Sequence, residues 1–201
     1  MDASAGQAVT ETEDRENAEE APTTLRAEQP APERLVLARG IFCGPAPKIS
    51  DDLYAPAKGK VTRERQTLRL EKGASVNTNT YFGRFAAAYW QRWTKVTEVE
   101  VGMTLEATGK VRIRLAASDI AGHRRVVDTA VVKETGRVVL RAPLDMYIDG
   151  GALWLEIEAL GGEAVITDLE WTAAAPEQVR PVAIAICTFN RAPDRTEMFS
   201  L

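Results

Sequence analysis

Thr97–Leu115, TEVEVGMTLEATGKVRIRL, decides the fold. Val99, Val101, Met103 and Leu105 fall on one side of a period of two, and Glu98, Glu100, Gly102, Thr104 and Glu106 on the other. Strict alternation of this kind is the mark of a half-buried β-strand, because successive side chains of a strand point to opposite faces. Thr108–Gly109 breaks the run, and Lys110–Leu115 resumes it with Val111, Ile113 and Leu115 inward and Arg112 and Arg114 outward. Two such runs joined by a Gly-containing turn predict neighbouring antiparallel strands.

The same grammar extends in both directions. Downstream, Val126–Lys133, Arg137–Arg141, Ala152–Ala159 and Glu163–Trp171 predict four more strands, with turns at Ala121–Gly122, Thr135–Gly136, Asp149–Gly151 and Gly161–Gly162. Upstream, Arg34–Phe42 reads as the first strand and Cys43–Pro47 as a Gly/Pro break. Asp52–Ala55 fits no pattern, while Thr67–Leu70 and Ala74–Phe82 read as strands. No amphipathic helix is expected between Arg34 and Trp171. Short strands with one polar face and frequent turns predict an all-β fold, an antiparallel β-sandwich or jelly roll over residues 34–172.

Against this background Thr80–Thr94, TYFGRFAAAYWQRWT, stands out. It holds six of the chain's thirteen aromatic residues: Tyr81, Phe82, Phe85, Tyr89, Trp90 and Trp93. Aromatic rings dominate the energetics of cores and interfaces. Either the cluster plugs the core and edge of the sandwich, or Tyr81, Trp90 and Trp93 form a platform for stacking sugars or binding a partner. Alternation ranks Trp93 above Trp90 as the buried ring.

Composition narrows the function classes. The 201 residues are 45% hydrophobic and 27% charged, ordinary for a soluble globular protein. The net charge of −4 is uneven: residues 1–33 carry nine acidic and two basic side chains, and the remainder is slightly basic. That balance and the lack of a basic helix argue against nucleic acid. Cys43 and Cys187 lie far apart and His123 is the only histidine, so a Cys/His zinc site is not expected. Two free thiols suit a reducing cytosol. No secretory signal is visible, and the longest apolar runs fall far short of a membrane span. Glu156 and Glu158 share a strand face and could imitate a glycosidase pair, but alternating acids on a strand are ordinarily its solvent face.

The two ends follow different rules. Residues 1–33 are rich in Ala, Glu, Thr and Pro with few large apolar side chains, so they are expected to be a disordered acidic tail. Residues 173–180 read as a linker. Pro181–Cys187, PVAIAIC, is continuously apolar, as a strand buried on both faces of a parallel sheet would be. It leads into Thr188–Asp194, TFNRAPD, where a helix should begin. Residues 181–201 thus read as the truncated start of an α/β domain.

The entry strand and TFNR loop resemble the opening of a GT-A glycosyltransferase domain. With TYFGRFAAAYWQRWT and the β-domain between, Arg34–Asp194 resembles the N-terminal region of the polymerising UDP-galactofuranosyltransferases of mycobacteria and their relatives. The resemblance implies transfer of galactofuranose from UDP-galactofuranose to a growing cell-wall galactan. It further implies a divalent metal, Mg or Mn, a cytoplasmic location with peripheral association at the inner membrane face, and a homo-oligomer. It assigns donor contact to Arg191, whose planar fork suits phosphate oxygens, with Thr188, Phe189 and Asn190 shaping the loop. The sequence departs from the family at Cys187, where Pro is usual, and at Ala192–Pro193, which are reversed. No Asp-x-Asp occurs in the chain, and the family's metal ligands and catalytic base would lie past Leu201. The chain alone is therefore expected to have no catalytic residues and no measurable affinity for UDP.

Overall fold

The computed structural model describes residues 33–46 and 48–175. Expectations for the acidic tail, for most of the linker and for the TFNR loop lie outside them. Among the described residues the elements are β1 (Arg34–Arg39), a 3-10 turn (Asp51–Leu53), β2 (Ala57–Lys58), β3 (Val61–Arg63), β4 (Leu68–Leu70), β5 (Ser75–Asn77), α1 (Ala87–Trp93), β6 (Glu98–Ala107), β7 (Val111–Ser118), β8 (Arg124–Val132), β9 (Gly136–Pro143), β10 (Ala152–Ala159) and β11 (Ala164–Ala174).

They build two antiparallel sheets. One has the order β3-β4-β11-β6-β9, with β1 also paired to β11. The other has the order β2-β5-β10-β7-β8. The long edge of β11 is shared: β4 pairs with its first residues, Ala164–Ile166, and β1 with its last, Glu170–Ala174. The inner faces meet as the alternation requires. Val99, Val101, Met103 and Leu105 of β6 are fully buried, and so are Val111, Ile113 and Leu115 of β7 and Leu153, Leu155 and Ile157 of β10. Each such side chain stabilises the fold by about 1.5–3 kcal/mol relative to exposure.

Three expectations need correction. First, Ala87–Trp93 is a helix, not part of an all-strand region. Three consecutive alanines, the residue with the highest helix propensity, start it. Thr94 ends it in an extended conformation, with its hydroxyl bonded back to Trp90 O. Second, Ala74–Phe82 is not one strand: pairing stops at Asn77, and the chain then leaves the sheet. Third, β2 and β3 are too short to show a period and were not foreseen. Asp52–Ala55 resolves into the 3-10 turn followed by buried Tyr54 and Ala55.

β11 carries a feature that the period-2 reading passes over. Its pairing with β6 shifts between Thr167 and Glu170, where Asp168 takes φ 51°. The extra residue is a β-bulge. It reverses the phase of the strand, so Ala164 and Ile166 face inward before it, and Leu169, Trp171 and Ala173 after it.

Candidate functional site

The aromatic stretch is hung on the edge of β10. Thr78, the one buried polar residue among those described, donates its N–H to Leu155 O at 2.9 Å and accepts Leu155 N–H on its hydroxyl at 2.9 Å. Seven residues on, Phe85 exchanges both backbone hydrogen bonds with Leu153, at 2.8 and 3.0 Å. Residues 79–84 therefore form an excursion with both feet fixed to one strand.

The excursion is pinned from beneath. Thr80 Oγ1 donates to Tyr54 O at 2.8 Å and accepts from Gly83 N at 3.0 Å, and Phe82 N donates to Leu53 O at 3.2 Å. Gly83 sits so close to the carbonyls of Tyr54 and Thr78 that a Cβ there would overlap both. Phe82 stacks on Tyr54 with centroids 4.7 Å apart, and Tyr81 meets Phe82 edge-on at 4.8 Å. Tyr81 is 76% exposed and Phe82 half exposed. Two rings are thus held towards solvent on a backbone with little freedom to collapse.

The sequence grouped Tyr81 with Trp90 and Trp93, and the structure separates them. Trp90 is half-buried and stacks parallel to buried Phe85, which stacks in turn on Trp171. Trp93 is 70% exposed at the end of α1, which overturns its ranking above Trp90 as the buried ring. The phase of a short helix, not strand alternation, decides which ring turns inward. Phe82, absent from the expected trio, joins Tyr81. Its position beside Tyr81 was the only hint, since nothing in the sequence places Tyr54 beneath it. Thr188, Phe189, Asn190 and Arg191 lie outside the described residues.

The outer face of the second sheet carries ions in register. Arg112 Nη2 lies 2.5 Å and Arg114 Nη1 3.1 Å from the Glu158 carboxylate. Arg124 grips Glu156 with two hydrogen bonds of 2.7 Å. Trp154, on the same face and only 2% exposed, adds an Nε1–H bond to Glu156 at 3.3 Å. The Arg124 bonds hold the Glu156 carboxyl below its ordinary range, against the opposing pull of partial burial. A glycosidase general acid needs the opposite shift. The pair Glu156 and Glu158 is therefore a structural ion network. Among the described residues no group of three or more His, Cys, Asp or Glu is placed to hold a metal ion, and no helix is long and apolar enough to cross a membrane.

Fold and site together define a β-sandwich module with a pinned aromatic loop on one sheet edge and an arginine–glutamate network on the second sheet's outer face. The family model for the N-terminal region of galactofuranosyltransferase 2 matches residues 52–174, and the chain belongs to that family. The match takes in both sheets except β1, and stops short of the TFNR loop. No curated protein sequence matches the chain. Solved structures that superpose on it include the CBM22-1 xylan-binding domain of Paenibacillus barcinonensis Xyn10C, at 14% identity and TM-score 0.42, covering 73% of this chain and 99% of that one. The N-terminal cellulose-binding domain of Cellulomonas fimi β-1,4-glucanase C superposes at 12% identity and TM-score 0.40, covering 67% and 93%.

Proposed function

We propose that this chain is the N-terminal scaffold of a polymerising galactofuranosyltransferase of the mycobacterial type, and that its sandwich guides the galactan acceptor. The enzyme would pass galactofuranose from UDP-galactofuranose to the growing cell-wall polymer, working as a homo-oligomer in the cytoplasm at the inner membrane face. Donor contact falls to Arg191, with Thr188, Phe189 and Asn190 shaping its loop. A divalent metal, Mg or Mn, would neutralise the leaving diphosphate. Among the described residues no donor set is placed to hold it, and its ligands would come from a catalytic domain.

The observation that carries the acceptor role is the pinned loop with exposed Tyr81 and Phe82. Sugar rings present C–H faces that pack on aromatic rings, and rings ordered beforehand bind with less entropic loss. The test is titration calorimetry of the chain with galactofuranose oligosaccharides. Tyr81→Ala and Phe82→Ala should each weaken binding about 2- to 10-fold, the value of a ring contact of ~0.5–1.5 kcal/mol. Absence of binding at millimolar oligosaccharide would remove the acceptor role and leave a scaffold alone.

A further inference from the structure

Beside the aromatic loop the surface is hollow. An open groove of about 450 Å³ lies between the segment after β1, the 3-10 turn and the end of β3, and Cys43, Gly44, Ile49, Ser50, Asp51 and Arg63 line it. That volume falls within the roughly 300–1,000 Å³ of small-molecule sites. Both walls are held. On one side Arg65 Nη1 donates to Cys43 O at 3.0 Å, and Ile49 N donates to Ala46 O at 3.0 Å. On the other, Ser50 Oγ accepts from Asp52 N at 3.3 Å and caps the 3-10 turn.

Arg63 gives the groove its chemistry. Its Nε donates to Ala55 O at 2.7 Å, and only 15% of its side chain is exposed, so the guanidinium is fixed in place. Nη2 reaches Asp52 Oδ1 at 3.5 Å, while Nη1 stands 3.7 Å from Asp51 Oδ2, beyond hydrogen-bond distance. Among the described residues Nη1 has no hydrogen-bond acceptor, and it is not buried. A fixed donor fork therefore opens on the groove next to carboxylates and a hydroxyl. Arg63 and Arg65 balance Asp51 and Asp52, so the charged groups favour neither a phosphate nor a metal ion. A balanced set of donors and acceptors suits a neutral ligand whose adjacent hydroxyl groups both give and accept hydrogen bonds.

The groove adjoins the displayed rings. Tyr54 stacks on Phe82 at 4.7 Å, and the same Tyr54 ring borders the groove, where a Cβ on Gly44 would lie 3.5 Å from its Cε2. A second link runs through the backbone. Phe82 N donates to Leu53 O, and Leu53 follows Asp51 by two positions of the 3-10 turn, about 4 Å of rise. We propose that the groove is a second subsite for the acceptor polysaccharide, in which Arg63 and Asp51 bind the hydroxyl groups of the sugar unit next to the one packed on Tyr81 and Phe82. It rests on the acceptor role of those two rings and gives that role a polar, length-dependent component.

The test is a pair of NMR titrations of the ¹⁵N-labelled full chain, with a methyl galactofuranoside and with a linear galactofuranose tetrasaccharide, both to millimolar concentration. The expected result is that the single unit shifts the amides of residues 81–83, and that the tetrasaccharide also shifts those of Gly44, Ser50 and Asp51 and the Nε–H of Arg63. Asp51→Asn and Arg63→Lys should each weaken the tetrasaccharide about 3- to 10-fold and narrow its advantage over the single unit. Tyr81→Ala should weaken both ligands. The wild-type shifts decide the matter even where a variant fails to fold. Tetrasaccharide shifts confined to residues 81–83 would overturn the second subsite and leave the rings as the acceptor platform. Shifts confined to the groove would overturn the shared site, and no shift with either ligand would remove the acceptor role and the subsite together.

Discussion

Phe85 and Trp93 belong to one aromatic stretch and should respond to truncation in opposite ways. Phe85 is 3% exposed and stacked between Trp90 and Trp171, so Phe85→Ala should cost about 3–5 kcal/mol in a denaturant melt. Trp93→Ala should stay within about 1 kcal/mol, since little of its ring leaves water on folding of the sandwich. At Gly83 the added methyl of Gly83→Ala meets backbone oxygen on two sides, so the loop must shift, at a cost of about 1–3 kcal/mol and with weaker oligosaccharide binding. Glu156 gives the fold an acid limb. Its carboxyl is held below the ordinary range by Arg124, so the pair's stabilisation is complete above the unfolded-state value. It is lost as pH falls through the lowered folded-state value. Glu156→Gln should therefore flatten the fall in melting temperature as pH drops below the ordinary glutamate range. An unchanged acid limb would mean that other carboxylates dominate it. Alternation made the burial of Val99 or Ile113 legible in the sequence. The fates of Phe85, Trp90 and Trp93 were not, because a helix phase and a packing partner seventy-eight positions past Trp93, Trp171, decide them.

Among the elements, β11 shows how one residue can carry a sheet. The Asp168 bulge turns Leu169 and Trp171 into the core, where an unbroken alternation from Ile166 would have placed Asp168 and Glu170. Deleting Asp168 removes the extra residue and sets Leu169 opposite Met103, so Ile166, Leu169 and Trp171 keep one inward phase and unfolding should stay cooperative. Asp168→Gly should be tolerated within about 1 kcal/mol, since glycine accepts positive φ without strain. Asp168→Val should cost more, because a β-branched residue resists that conformation. Circular dichroism melts of the three variants rank them directly. Strands with eight or more residues could be read from their period, often to within a few positions, because many alternating positions outvote local noise. β2 and β3, at two and three residues, offered no period at all. α1 was hidden because its alanines serve a helix or a strand edge equally well on paper, and its inward face is set by contacts distant in sequence.

At the scale of the molecule, the pairs that close both sheets lie between Arg34 and Ala174. Removing residues 1–32 should therefore leave the thermal midpoint unchanged within about 2 °C, and a drop of many degrees would show that the acidic segment contributes to folding. The family was legible from TYFGRFAAAYWQRWT together with the sandwich. Yet that motif divides its labour: Thr80, Gly83 and Phe85 build the loop, Tyr81 and Phe82 are displayed by it, and Trp93 faces another surface. Such a division depends on backbone hydrogen bonds to Tyr54 and β10, which no local pattern encodes.

The pairing of β1 with the end of β11 has a mechanical consequence. Arg34 stands opposite Ala174, and Ala175 N donates to Glu33 O at 3.0 Å, so the chain enters and leaves the sandwich at one point. Tension applied through the flanking segments would open this antiparallel pair from its frayed end, loading its cross-strand bonds one after another. In an optical trap the domain should yield at low force by peeling β1. Under such a load this joint would give before the core of the sandwich.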